Sequence, residues 1–472
     1  MRIFAFSLLI WGFTFPAYAI SFEEARHLLS RTGFGIAMPT DIDALMGLEY
    51  EAAVDKILDG VIDRPLTPIP DFQTSPKQRK LVKKMNADER RAFRKLRRQD
   101  SKALKHWWIR EMLATPSPLT ERMVLFWSNH FVSELRKVNY SQPMYAQQAV
   151  FRENALGDFA TLLKETSTGP AMLVYLDGNK NVKGKPNENF AREVLELFTL
   201  GEGQGYTETD IREAARAFTG WRVNFSRGGF LLNKKLHDDG RKTFLGDDGF
   251  FDGMDILDRV LKHPRVAEFI TEKLWREFVS EQRDDTEIKR LAKLFRDNDL
   301  HVKPLLKAIF LSDAFRAPAN VGSLIKSPVD LVIGTARLLK ASNLPAKNVF
   351  GVLNNLGQNL FDPPDVKGWR GGNAWISATT TMQRSGFVSG TRRFMKIGKP
   401  KPANMMKPID HVTTDIADIM ARANSDRTYL QRLVLALPPV LPGSPENKKM
   451  NAKNKSKRQL LNLMLDPVYQ LK

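Results

Sequence analysis

The sequence predicts a mainly α protein: a large multi-helix domain with irregular Gly/Asp-rich and Pro/Gly/Trp loops and few short strands. Three observations predict this class. Apolar residues recur at helical spacing from Ser21 onward. Strand-like alternation is scarce. Hydrophobic residues make up 42% of the 472, enough to bury a sizeable core.

In chain order, a first helix over residues 22–29 stops near Gly33 and Gly35. A second covers 41–58, after which Pro65, Pro68, Pro70 and Pro76 punctuate a linker. Residues 77–110 read as one long helix or two; they hold 14 Lys and Arg against 3 acidic residues, a net of +11. Helices follow at 119–135, 141–156, 159–165, 189–200 and 208–219. The last starts with Thr207 and Asp210 at capping-box spacing and buries Ile211, Ala214, Ala215 and Phe218 at helical spacing. The Gly- and Asp-rich stretch 228–253 is irregular, with a short strand pair around 230–232 and 242–245. Helices resume at 254–261, 266–278, 285–298, 302–311 and 328–341, before a Pro/Gly/Trp loop at 362–375. Residues 399–408 form a linker with three prolines. A short helical tail from Thr414 and a lysine-rich run at 447–458 follow. The expected organisation is a signal peptide at 1–19, a main helical domain at 20–398, and a linker with a basic tail at 399–472.

Arg2, the mostly apolar run 3–15 and Ala17-Tyr18-Ala19 form a secretory signal pattern. The run is shorter than the about 20 residues a membrane span needs, and no later segment has about 18 consecutive apolar residues. The expected mature protein is therefore periplasmic or secreted, with no transmembrane span. The chain has no cysteine, which excludes a disulfide scaffold, a thiolate metal site and a Cys nucleophile. Lys and Arg total 72 against 53 acidic residues, a net charge of +19. Residues 77–110 and 399–472 contribute +11 and +7 of it. Such a charge fits an anionic partner. Export and the lack of a recognised binding motif disfavour nucleic acid and leave an anionic envelope polymer or a solvated, solubilising helix face.

The densest polar cluster runs from Asp177 through Asn179 and Asn181 to Asn187, Glu188 and Asn189. On a helix, Asn189, Arg192, Glu193 and Glu196 share one face, and Phe190, Val194, Leu197 and Phe198 the other. One reading is an ordinary amphipathic helix with a surface Arg192–Glu196 pair. The other is a polar cleft wall in which Glu193 and Glu196, one turn apart, act as acid and base or bind a cation. Asp177, Asn179, Asn181 and Glu188 fall at positions 1, 3, 5 and 12 of an EF-hand-like calcium loop. Val182 stands where that loop needs Gly, and Lys180, Lys183 and Lys185 add opposing charge. His237, Asp238 and Lys242 form a second cluster, in which His237 could be a ligand or an acid–base group. His130 lies on an apolar helix with Glu134 one turn on, so it reads as a core histidine or as a partner of that carboxylate. Trp369 and Trp375 on the Pro/Gly loop could stack on sugar rings or plug a core edge. No His-Glu-x-x-His, Gly-x-Ser-x-Gly or phosphate-cradling glycine loop occurs.

Several of these segments resemble the large bacterial exported family catalogued as domain of unknown function 1800. They are Ala25-Arg26-His27-Leu28-Leu29 with Gly33-Phe34-Gly35, residues 126–130, and Asn187-Glu188-Asn189-Phe190-Ala191-Arg192-Glu193 with residues 196–201. Tyr206-Thr207 with Ala217-Phe218-Thr219-Gly220-Trp221, Pro363-Pro364-Asp365-Val366-Lys367-Gly368-Trp369, and the 237–242 stretch complete the match. The resemblance covers about residues 22–394. It implies an exported, mostly helical protein without an assigned activity, encoded beside an exported sulfatase-like partner. It also implies that the polar face at Asn189 lines a site. The expected cleft joins catalytic Glu193, Glu196, His237 and His130 with substrate-binding Asn187, Asn189, Arg192, Asp238, Lys242, Trp221 and Trp369. It would hydrolyse or modify an envelope polymer such as a glycan, with calcium as a candidate cofactor. The competing expectation is a non-catalytic envelope assembly or polyanion-binding protein.

Overall fold

The computed structural model describes residues 19–225, 229–341, 344–395, 414–441 and 452–472. The expected signal peptide, except Ala19, lies outside the described residues, as do the linker at 399–408 and the start of the second lysine-rich run. Helices dominate what is described, and the sheet is confined to two antiparallel pairs.

Local sequence explains most helix ends. Helix α1 (Phe22–Thr32) starts at Ser21, whose hydroxyl accepts from the Glu24 amide while Glu24 reaches back, a complete capping box. The expected 41–58 helix splits into Pro39–Leu45 and Tyr50–Asp59, because Gly47 turns the chain at a φ of +86°. Residues 77–110 resolve into a short helix, Arg79–Lys84, and helix α2 (Ala87–Ala114), capped by Asn86 and Glu89. The first half of α2 is solvated. Its second half buries Leu104, Trp107, Trp108, Ile109 and Met112.

Helix α3 (Pro118–His130) packs on α4 (Ser141–Glu153). It ends at His130 rather than at Leu135. A short helix α5 (Pro170–Tyr175) leads to the polar cluster, where α6 (Glu188–Glu193) continues into a π-helical turn, Val194–Thr199. Helix α7 (Glu208–Ala217) has the expected Thr207–Asp210 capping box. The strands form two local hairpins. β1 (Trp221–Asn224) pairs with β2 (Gly229–Leu232), Trp221 opposite Leu232, and β3 (Lys242–Phe244) pairs with β4 (Asp247–Gly249). The expected pairing of 230–232 with 242–245 does not occur; each finds a partner nearer in sequence. Helices α8 (Pro264–Phe278), α9 (Pro328–Leu338), α10 (Ala378–Phe394) and α11 (Ala452–Leu465) follow. One connected core runs through the described residues, with Trp107, Trp108, Trp127 and Trp221 fully buried.

Within this core lies a charged junction. Asp330, the cap partner of Ser327 on α9, is fully buried and pairs with Arg122 of α3. Arg122 also reaches Glu277 of α8 at 2.5 Å, and Lys472 donates to the other Asp330 oxygen at 2.9 Å. Burial pushes the Glu277 carboxyl up against the pull of Arg122. The end of the C-terminal tail is joined to this core. The Lys326 amide donates to the Gln470 carbonyl at 2.7 Å, Lys472 exchanges backbone bonds with Leu324, and Tyr469 bonds Thr335 at 2.7 Å. Helix α11 packs on α10.

Removing one member of a buried ion pair leaves the other uncompensated. Asp330→Ala should destabilise the protein by about 3–5 kcal/mol in urea unfolding. Lys472→Met, which leaves the Asp330–Arg122 pair intact, should cost less. Equal losses for the two variants would refute the assignment of Asp330 as the junction.

Candidate active site at the α6 π-turn

Helix α6 is held from beneath and at its start. Asn187 caps it by accepting from the Asn189 amide at 3.0 Å, and the Asn189 side chain donates to the Leu176 carbonyl. Phe190 packs edge-on against Phe218 at 4.9 Å and near Trp221 at 5.9 Å. Asn187 and Asn189 therefore serve the backbone, and Trp221 is 2% exposed in the core. Asn189 remains exposed at the surface while Trp221 is enclosed.

The outward face carries the charges. Arg192 meets Glu196 at 3.1 Å, Glu208 at 2.8 Å and Glu188 at 3.4 Å. Three carboxylates already surround this guanidinium, so the expected anchor for a substrate anion is occupied. Glu196 lies between Arg192 and the Tyr206 hydroxyl. Glu193 differs from all of these: it is half-buried and makes no hydrogen bond or ion pair among the described residues. Burial, then the Glu196 charge, push its carboxyl up to about 7, with Arg192 and Lys367 opposing. Tyr175 of α5 stands in the same field; burial and the Glu134, Glu193 and Asp365 charges push its hydroxyl up to about 12. Lys367, from the Pro/Gly loop, pairs with Glu202 at 2.9 Å beside them. Sequence reading missed Tyr175 because it ends the apolar run 171–176 and reads as core.

Beneath this face the π-turn offers carbonyls to α3 and α8. His130 donates from Nε2 to the Phe198 carbonyl at 3.0 Å, and its Nδ1 accepts from Lys273 at 2.9 Å; this tautomer follows from the partners. Lys273 also donates to the Leu197 carbonyl at 3.1 Å. Burial, then the Lys273 charge, hold the His130 ring well below the usual histidine range. Burial, then Arg276, lowers Lys273 to about 7. His130 is 3% exposed among aromatic rings, so it supports the turn and does not reach a substrate. Its expected partner Glu134 instead pairs with Arg136 at 2.5 Å.

The 237–242 loop is a separate construction. His237 donates from Nδ1 to the Thr219 carbonyl at 2.9 Å, and the Asp238 amide donates to the Thr219 hydroxyl at 2.7 Å. Asp238 pairs with Arg216 at 2.9 Å. Lys242, 2% exposed, donates to the Asp238 and Gly240 carbonyls. Gly220, at a φ of +81°, permits this docking: a Cβ there would lie 2.7 Å from the Asn233 carbonyl oxygen. Among the described residues, no hydrogen bond or ion pair joins His237, Asp238 or Lys242 to Glu193 or Glu196. The loop's bonds go to Thr219, Arg216 and its own backbone.

The calcium loop does not fit its ion. Asp177 is paired with Lys137 and Lys180. Asn179 accepts from the Val223 amide, and Asn181 is buried between the Asn187 amide and the Ala215 carbonyl. Glu188 faces Arg192. Protein donors occupy all four side chains, and no group of three or more His, Asp or Glu among the described residues converges to hold a metal. Trp369 is 6% exposed, and Asn129 clasps its backbone from both sides. It lines a cavity of about 10 Å³, far too small for a sugar ring, so it plugs the core edge.

A raised carboxyl stabilises the fold only while protonated. Stability should fall as pH rises from the ordinary 4.5 toward about 7, and Glu193→Gln should remove that loss. In a carbon-detected NMR titration, one glutamate carboxyl should titrate near 7, vanish in Glu193→Gln, and move down in Glu196→Gln. A wild-type protein whose glutamates all titrate below 5 would contradict this.

No curated protein and no solved structure matches the chain. No helix among the described residues is long and apolar enough to cross a membrane. The family described as "Protein of unknown function (DUF1800)" matches residues 27–471, which includes the α6 face, the 237–242 loop and the C-terminal segment beyond the resemblance read from sequence. The chain belongs to that family.

Proposed function

We propose that the protein is exported and hydrolyses a glycan polymer of the cell envelope, using Glu193 and Glu196 as its acid–base pair. The observation that carries this reading is the Glu193 carboxyl, half-buried, without a partner among the described residues and one turn from Glu196, where burial pushes it up to about 7. Two carboxyl groups one turn apart in different environments are a common basis for dividing acid and base roles. Protonated Glu193 would give its proton to the leaving oxygen. Glu196, carrying its charge against Arg192, would take a proton from the attacking water. Arg192 orients Glu196 and does not touch substrate. His130 and Lys273 hold the turn that presents both carboxyls. Export rests on the leader pattern in residues 1–19.

A second reading, a non-catalytic envelope protein, draws on the 237–242 loop and on Arg192, whose polar groups are satisfied internally. One experiment separates the two. Purified protein is incubated with isolated envelope glycan, and newly formed reducing ends are counted. The catalytic reading expects release that declines as pH rises through about 7, and a roughly 100-fold or greater loss in Glu193→Gln. Absence of release, or equal release by the variant, would favour the non-catalytic reading.

A further inference from the structure

Away from Glu193, the solvated half of α2 presents Arg91, Arg94, Lys95 and Arg98 on one face, at helical spacing. They line a shallow open groove of about 570 Å³ with Asp88 and Ala92. Asp88 is the one carboxylate there, 4.0 Å from Arg91 at the start of the helix. Arg94, Lys95 and Arg98 make no hydrogen bond or ion pair among the described residues.

Neighbouring cations on the same helix are used differently. Arg97 lies over the Phe93 and Tyr140 rings and bonds Asn139, and Arg90 donates to the Lys83 carbonyl. The groove cations have no such internal role. They also repel one another at Arg91–Lys95 and Arg94–Arg98, each a four-residue spacing at which like charges destabilise a helix. An external anion would relieve that repulsion.

We propose that this face binds a linear polyanion with repeating phosphate groups. Three of the four cations are arginines, whose planar forks suit phosphate oxygens. Seven residues separate Arg91 from Arg98, about 10 Å at 1.5 Å per residue, so the face spans several charges of an extended chain rather than one ion. Apart from Ala92, no apolar side chain lines the groove, so it offers nothing to insert among lipid tails. Binding here does not depend on the Glu193 chemistry.

The test uses the full mature chain and fluorescently labelled long-chain inorganic polyphosphate, read by anisotropy. Wild-type protein should bind, and four phosphate contacts should make binding roughly 50-fold weaker at 200 mM than at 50 mM salt. Replacing Arg91, Arg94, Lys95 and Arg98 with Gln should weaken binding at least about 10-fold and flatten the salt dependence, with an unchanged circular dichroism spectrum. Lys234→Gln with Lys235→Gln, exposed cations on another surface, should bind as wild type. The proposal is overturned if the fourfold variant binds like wild type, or if neutral dextran binds as well as polyphosphate. It is equally overturned if phosphatidylglycerol vesicles are bound and polyphosphate is not, which would make a lipid surface the partner.

Discussion

The buried charge of Asp330 is the constraint on which the architecture turns. A carboxylate with no access to water must be matched, and it draws its matches from distant parts of the chain: Arg122 on α3, Lys472 near the last residues, and its own helix cap at Ser327. Arg122 in turn requires Glu277 on α8. Breaking the Asp330–Arg122 pair strands charge in the core, so these contacts hold three helices and the C-terminal segment in one register. With no cysteine in the chain, crosslinking of this kind falls to ion pairs and packing.

The same logic operates under the candidate site in a milder form. A π-helical turn widens the helix and leaves carbonyls aimed away from its own ladder. Here the Leu197 and Phe198 carbonyls are met by Lys273 and His130, two side chains that burial drives toward their neutral forms. That support lies on the buried side of the turn. On the opposite side it leaves Glu193 between water and core, without a partner and beside a second carboxylate. The unusual acidity of Glu193 is thus a property of where the turn is pinned.

Charge in this protein does two separate jobs. Buried cations such as Arg122, Lys273 and Lys242 satisfy internal oxygens and hold elements together. On the first half of α2, Arg94, Lys95 and Arg98 make no hydrogen bond or ion pair among the described residues. The net charge of +19, 72 Lys and Arg against 53 Asp and Glu, does not separate the two populations. Only their placement tells them apart.

By itself, the sequence determined the helical class, the capped helix start at Thr207, and the Glu193–Glu196 spacing. These depend on local periodicity and on hydrogen bonds between residues a few positions apart. It also carried the family resemblance, because that lies in short runs of residue types. The tertiary structure decided what each polar residue faces. Asn181, Glu188 and Asp177 looked like calcium ligands until the fold showed protein donors at their oxygens: the Asn187 amide, Arg192 and Lys137. His237 and His130 looked like partners of Glu193 until their rings were found bonded to the Thr219 and Phe198 carbonyls. Spacing along a chain records which side chains share a helix face. Burial and pairing between segments far apart in sequence set their protonation and their freedom to react, and only the folded chain brings those segments together.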